Sequence, residues 1–132
     1  MNIQQLEATL AGGFHDALLH SYSVDLIRRM AVFRLELCVG DPESPEESIR
    51  ELRQKAELKL MGLEYLSVDA PDPNYGREAP WQIDLCDADP QFIARFPPPE
   101  NGFAARFYSS DTNAFIHFAA LSAEIAYDAQ AQ

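Results

Sequence analysis

Apolar and polar residues alternate with a period of two over most of this chain, the pattern of strands with one wet face. The clearest run sets Ala31, Phe33, Leu35, Leu37 and Val39 against Arg34, Glu36 and Cys38. Ahead of it, Leu18, His20, Tyr22, Val24 and Leu26 share a face opposite Ser21, Ser23 and Asp25. Residues 27–30 form the turn between these strands, although they lack the Asn-Gly pair that marks a tight hairpin. Ala56, Leu58 and Leu60 resume the alternation against Glu57 and Lys59. The phase slips at Gly62 before Leu63, Tyr65, Leu66 and Val68, which predicts a β-bulge at the glycine. Trp81, Ile83 and Leu85 form a short strand with Gln82, Asp84 and Cys86 opposite. Residues 103–108 and 115–127 pair as a hairpin around a turn at 109–113. Its last strand places Phe115, His117, Ala119, Leu121, Ala123, Ile125 and Tyr127 on one face.

Ile3, Leu6 and Leu10 stand instead at helical spacing, predicting a short helix over residues 2–11 that Gly12-Gly13 ends. Ser44-Pro45-Glu46-Glu47 has the form of a capping box with proline at the first helical position. The segment 41–51 is therefore either a turn or two of helix or an exposed loop. Residues 69–80, with Pro71, Pro73 and Pro80, read as a loop, Asp87-Ala88-Asp89-Pro90 as a break, and Pro97-Pro98-Pro99 as a stiff connector. The expected fold is mainly β: six strands in an antiparallel sheet, curled or folded into a two-layer sandwich or open barrel, with a short N-terminal helix. An α+β arrangement is the alternative. Residues 1–132 read as one domain, with the helix over 1–13, the sheet body over 14–127 and a frayed tail at 128–132.

Charge narrows the partners. The chain carries 21 acidic and 10 basic residues, a formal net charge of −11. That balance repels phosphate backbones and anionic membranes, so neither nucleic acid nor membrane is an expected partner. It suits a protein with a basic surface, because opposite fields speed encounter, and it equally suits simple solubility. Apolar residues make up 47%, enough for a core without metal or disulfides. No apolar run reaches the roughly 20 residues that cross a bilayer, and the first residues lack the basic start of a secretory signal. A cytoplasmic location is expected. Cys38 and Cys86 are expected to be free thiols, with a bridge left open because pairing depends on geometry.

No residue set selects a reaction. His15 and Asp16, with His20 nearby, could orient an imidazole for base catalysis or metal binding. In an extended segment, however, opposite parity would send His15 and His20 to opposite faces. His117 reads as a core histidine. Asp84, Asp87 and Asp89 lack the glycine and distal glutamate of a calcium loop and read as strand-end residues. No phosphate-binding glycine loop or nucleophile elbow is present. No catalytic residue, metal or cofactor is expected. The aromatic residues fall on both strand faces, so either some rings face solvent or the sheet is covered twice.

The run Gly13-Phe14-His15-Asp16-Ala17-Leu18, then Val24-Asp25, then Phe33-Arg34-Leu35-Glu36-Leu37 with its acidic loop, then Ala56-Glu57-Leu58-Lys59-Leu60-Met61-Gly62-Leu63, resembles a family of small uncharacterised bacterial proteins. It is more loosely similar to the mainly-β immunity proteins of polymorphic toxin systems, the group called immunity protein 50. The resemblance implies a non-enzymatic protein-binding module, an inhibitor of a basic toxin. Carboxylates of Asp41, Glu43, Glu46 and Glu47, or of Asp84, Asp87 and Asp89, would meet Lys and Arg of the toxin. Two alternatives stand beside it: a small enzyme or ligand binder with a pocket at His15, Asp16 and His20, or a homo-oligomer whose edge strands pair.

Overall fold

The computed structural model describes residues 1–75 and 79–128. Parts of two expectations, the 69–80 loop and the frayed tail, lie outside the described residues. The elements are α1 (Ile3–Thr9), β1 (Ala17–Asp25), β2 (Met30–Cys38), α2 (Glu47–Arg50), β3 (Arg53–Met61), β4 (Tyr65–Val68), β5 (Trp81–Asp87), α3 (Pro90–Arg95), β6 (Phe103–Ser109), β7 (Ala114–Ala120) and β8 (Ser122–Tyr127). The strands form one antiparallel eight-stranded sheet in the order β4-β7-β6-β5-β1-β2-β3-β8. It is mainly β with a short N-terminal helix, as the alternation predicts, and the sheet is curled without closing into a barrel.

Eight strands appear where six were expected because two long strands each bend. Met61 pairs with Ser122 and Tyr65 with Ala119, leaving Gly62, Leu63 and Glu64 opposite only Ala120 and Leu121. That extra residue is the bulge predicted at Gly62, and it separates β3 from β4. Gly62 sits at φ 64°, and a Cβ there would lie 2.5 Å from Leu121 Cδ1. Both the left-handed backbone and the close approach call for glycine.

Phe33, Leu35 and Leu37 of β2 and Leu58 and Leu60 of β3 all face the interior, each at most 1% exposed. Phe33, Phe107 and Phe118 meet there with ring centroids 5.1–6.0 Å apart. Neither β6 nor β7 neighbours β2 in the sheet order, so these contacts record the curl. Phe14 adds an edge-on contact to Phe107 at 5.5 Å, and α1 buries Ile3 and Leu6 against the same core. A capping box between Asn2 and Gln5 starts α1.

Two readings of strand parity are corrected. In β1 the register slips between Leu19 and Ser21, so His20 is an extra residue. Before it the inward residues are Ala17 and Leu19 rather than Leu18 and His20; after it Tyr22 and Val24 stand opposite Phe33 and Ala31. Leu26 belongs to the turn and is 83% exposed. In the last segment the inward face of β7 is Ala114, Ile116, Phe118 and Ala120, not Phe115 and His117. The bend at Leu121 then shifts the phase, so Ala123 is buried as expected.

The outer face of β7 is covered too. Helix α3, absent from the expected elements, lays Phe92 on the His117 ring, 4.2 Å away and nearly parallel, and against Tyr65 at 5.5 Å. Asp89 caps α3 by accepting from Gln91 N at 3.0 Å, with Pro90 in its first turn. His117 is thus buried under an aromatic lid, 3.7 Å from Asp69.

Two substitutions separate these determinants. Phe33→Ala should cost about 3–5 kcal/mol of unfolding free energy in urea titration, because it opens a cavity under three rings. Gly62→Ala should cost about 1–3 kcal/mol while leaving the sheet intact by circular dichroism, because the strain is local.

Candidate functional site at the acidic end of the sheet

The sheet brings three candidate groups to one end. Strand β2 finishes at Cys38 and β3 begins at its partner Arg53, so the 41–51 segment projects from that end. Arg53 Nη1 donates to the Asp16 carbonyl at 2.7 Å, tying the 14–16 turn beside the segment. Asp84 of β5 then meets the same turn.

The turn has a mechanical cause. Phe14 and Ala17 are both fully buried, while Gly13 and Asp16 take positive φ of 60° and 55°. Anchoring on either side turns His15 outward. Its Nδ1 lies 2.6 Å from Asp84 Oδ1 and its Nε2 3.2 Å from Asp16 Oδ2. Gln82 Nε2 donates to the other Asp16 oxygen at 2.6 Å, and Asp16 N donates to Asp84 Oδ1 at 3.3 Å. The hydrogen bond to Asp84, followed by the charge of Asp16, raises the His15 pKa above its ordinary 6.5. A proton on each ring nitrogen suits a clamp between two carboxylates. Donor atoms of His15, Asp16 and Asp84 lie within 4.8 Å of one another, so these are the residues that could hold a divalent cation once the ring is neutral.

His20 does not join them, which corrects the pocket expected at His15, Asp16 and His20. The bulge turns it towards Glu36, 3.5 Å from Nε2 to Oε2. Asp87 and Asp89 lie further along β5 and just beyond it. Arg106 donates to the Asp87 carbonyl at 2.9 Å and approaches the Asp89 carboxylate at 3.9 Å.

The 41–51 segment joins exposed turns to the single helical turn of α2, so both readings of it are met in part. Asp41 Oδ1 accepts from Glu43 N at 2.9 Å, and Gly40 packs where a Cβ would be 2.1 Å from the Ile49 carbonyl oxygen. The capping box expected at Ser44 does not form. Ser44 Oγ accepts from Glu46 N, two residues on, at 3.2 Å, and α2 begins later with Glu46 as an N-cap whose side chain makes no capping bond. Asp41, Glu43, Glu46, Glu47 and Glu51 are all exposed. Among the described residues none of these five carboxylates has an ion-pair partner. Arg50, which lies among them, donates to the Ser44 carbonyl instead.

Sequence reasoning missed Gln82 and Arg53 as supports of the turn. Alternation does put Gln82 on the Asp84 face of β5, so that partnership had a signal; the reach of Arg53 had none. Cys38 and Cys86 are free thiols, and burial raises the Cys86 pKa. No helix among the described residues is long and apolar enough to cross a membrane. The chain matches no protein-family model, no curated protein and no solved structure.

The His15 clamp gives a signed pH dependence. Its folded-state pKa is raised, so its contribution is complete below the ordinary histidine value and fades as pH rises through the folded value. Thermal melts of the chain and of His15→Gln should therefore differ most below pH 6.5 and converge in alkaline buffer. A difference that grew with pH would contradict the clamp.

Proposed function

We propose that this chain is a non-enzymatic protein-binding module that neutralises a partner with a basic surface, in the manner of an immunity protein against a toxin. The observation that supports it most is the acidic end: Asp41, Glu43, Glu46, Glu47 and Glu51 are exposed, without ion-pair partners among the described residues, on a segment pinned at Gly40 and Arg53. No internal ion pair has to be broken when Lys or Arg arrives, so the new pairs must offset only the desolvation of the charges they join. The net charge of −11 adds an attractive field around the same end.

Affinity capture from the source cell at low salt, followed by mass spectrometry, tests this reading. A basic protein should be recovered with the native chain and lost in high salt. The variant Glu43→Gln/Glu46→Gln/Glu47→Gln/Glu51→Gln should keep its fold and slow association about tenfold or more, with dissociation changing less. Recovery of no basic partner, or equal binding by the variant, would sink the proposal.

A further inference from the structure

The opposite end of the sheet has a different chemistry. The β1–β2 hairpin tip presents Leu26 and Ile27 at 83% and 96% exposure, and the strand behind it leaves Tyr22 and Val24 at 45% and 39%. Leu26 and Ile27 are far more exposed than burial of apolar surface favours. Beside the tip runs β4, which pairs only with β7 among the described residues, so its other edge is an open ladder. Between hairpin and edge lies a cavity of about 610 Å³, lined by Tyr22, Val24, Leu63, Leu66 and Val68 among others. Bonds between Arg29 and Leu63 close it at the turn: Leu63 N donates to the Arg29 carbonyl at 2.8 Å, and Arg29 Nε to the Leu63 carbonyl at 3.2 Å.

The two features call for one kind of occupant. An open strand edge offers alternating N–H and C=O groups that an extended chain satisfies in register, and the apolar cavity beside it takes a side chain of that chain. Charge selects its source. Asp25 and Glu64 also line the groove, in exposed pairs with Arg28 and Arg29 at 3.8 and 3.0 Å, so its own charges balance and the field of the whole chain makes the selection. A second copy of this chain would bring another −11 and be repelled, whereas a positively charged segment would be drawn in.

We propose that the groove between the β1–β2 hairpin and β4 receives an extended, positively charged segment of another protein, which adds a strand to the β4 edge and inserts an apolar side chain among Tyr22, Leu63 and Leu66. This rests on reading the chain as a protein-binding module, and it assigns that module a contact separate from the acidic end.

Selection of a random short-peptide library on the immobilised full chain tests it. Val24→Ser/Ile27→Ser, two exposed positions changed without adding charge, serves as the counter-selection target, with its fold checked by amide NMR. Enriched peptides should alternate β-branched or aromatic residues with others, carry an excess of Lys and Arg, and shift the amides of residues 22–27 and 63–68. Their affinity should fall about tenfold or more on that variant, and by less than about threefold on the glutamine variant of the acidic loop, which weakens only the long-range field. Equal enrichment on the counter-selection variant, no enrichment, a helical consensus, or shifts at another surface would each overturn the groove. Light scattering that showed a dimer at high concentration would assign it to a second copy and overturn the partner. Because the acidic-loop variant is tested by capture and the groove by peptides, either proposal can fail alone.

Discussion

The structure depends on Phe33 reaching across to Phe107 and Phe118. Phe33 belongs to β2, which neighbours neither β6 with Phe107 nor β7 with Phe118, yet the three centroids lie within 6.0 Å of one another. A flat sheet could not bring them together. Rings of this size dominate core energetics, and the tilted and edge-on geometries seen here are the favourable ones for aromatic pairs. Once the triangle is buried, the curl follows, and with it the bends at Gly62 and Leu121 that let two long strands serve both edges of the sheet.

The curl also creates two unlike ends. Strands of nine residues, such as β2 and β3, span about 30 Å. At one end sit the loop carboxylates and the His15 clamp; at the other, the apolar hairpin tip and the open edge of β4. On the two proposals made above, attraction at long range and contact at short range fall to separate surfaces of one small body. Electrostatic fields govern encounter, while desolvated apolar contact governs residence. The outer face of β7 serves neither, because α3 and its Phe92 cover it.

Several expectations failed for the same reason. Period-two reading assumes an unbroken pleat, and one extra residue inverts every side chain beyond it. Alternation places His20 on the face of Leu18 and Tyr22 without a visible flaw, and nothing in that series marks the histidine as the bulged residue. Gly62, by contrast, announced its bulge, since an isolated glycine at a phase slip has few other uses. Helix α3 was legible in Asp89-Pro90, a cap followed by a first-turn proline, but the same pair also reads as a turn. Of the candidate site, the pairing of His15 with Asp16 could be read from adjacency, whereas Asp84 came from 69 residues away.

The sequence by itself determined that this chain is sheet, which side of β2 and β3 is buried, where one long strand must bend, and that its surface is strongly acidic. Those properties are local or summed along the chain, so a one-dimensional pattern carries them. Tertiary structure alone decided which carboxylates share an end, that His15 is clamped while His20 is turned away, and that apolar side chains stand exposed beside an open edge. Such facts depend on how far the sheet curls and where its register slips, and both are set by contacts between residues distant in the chain.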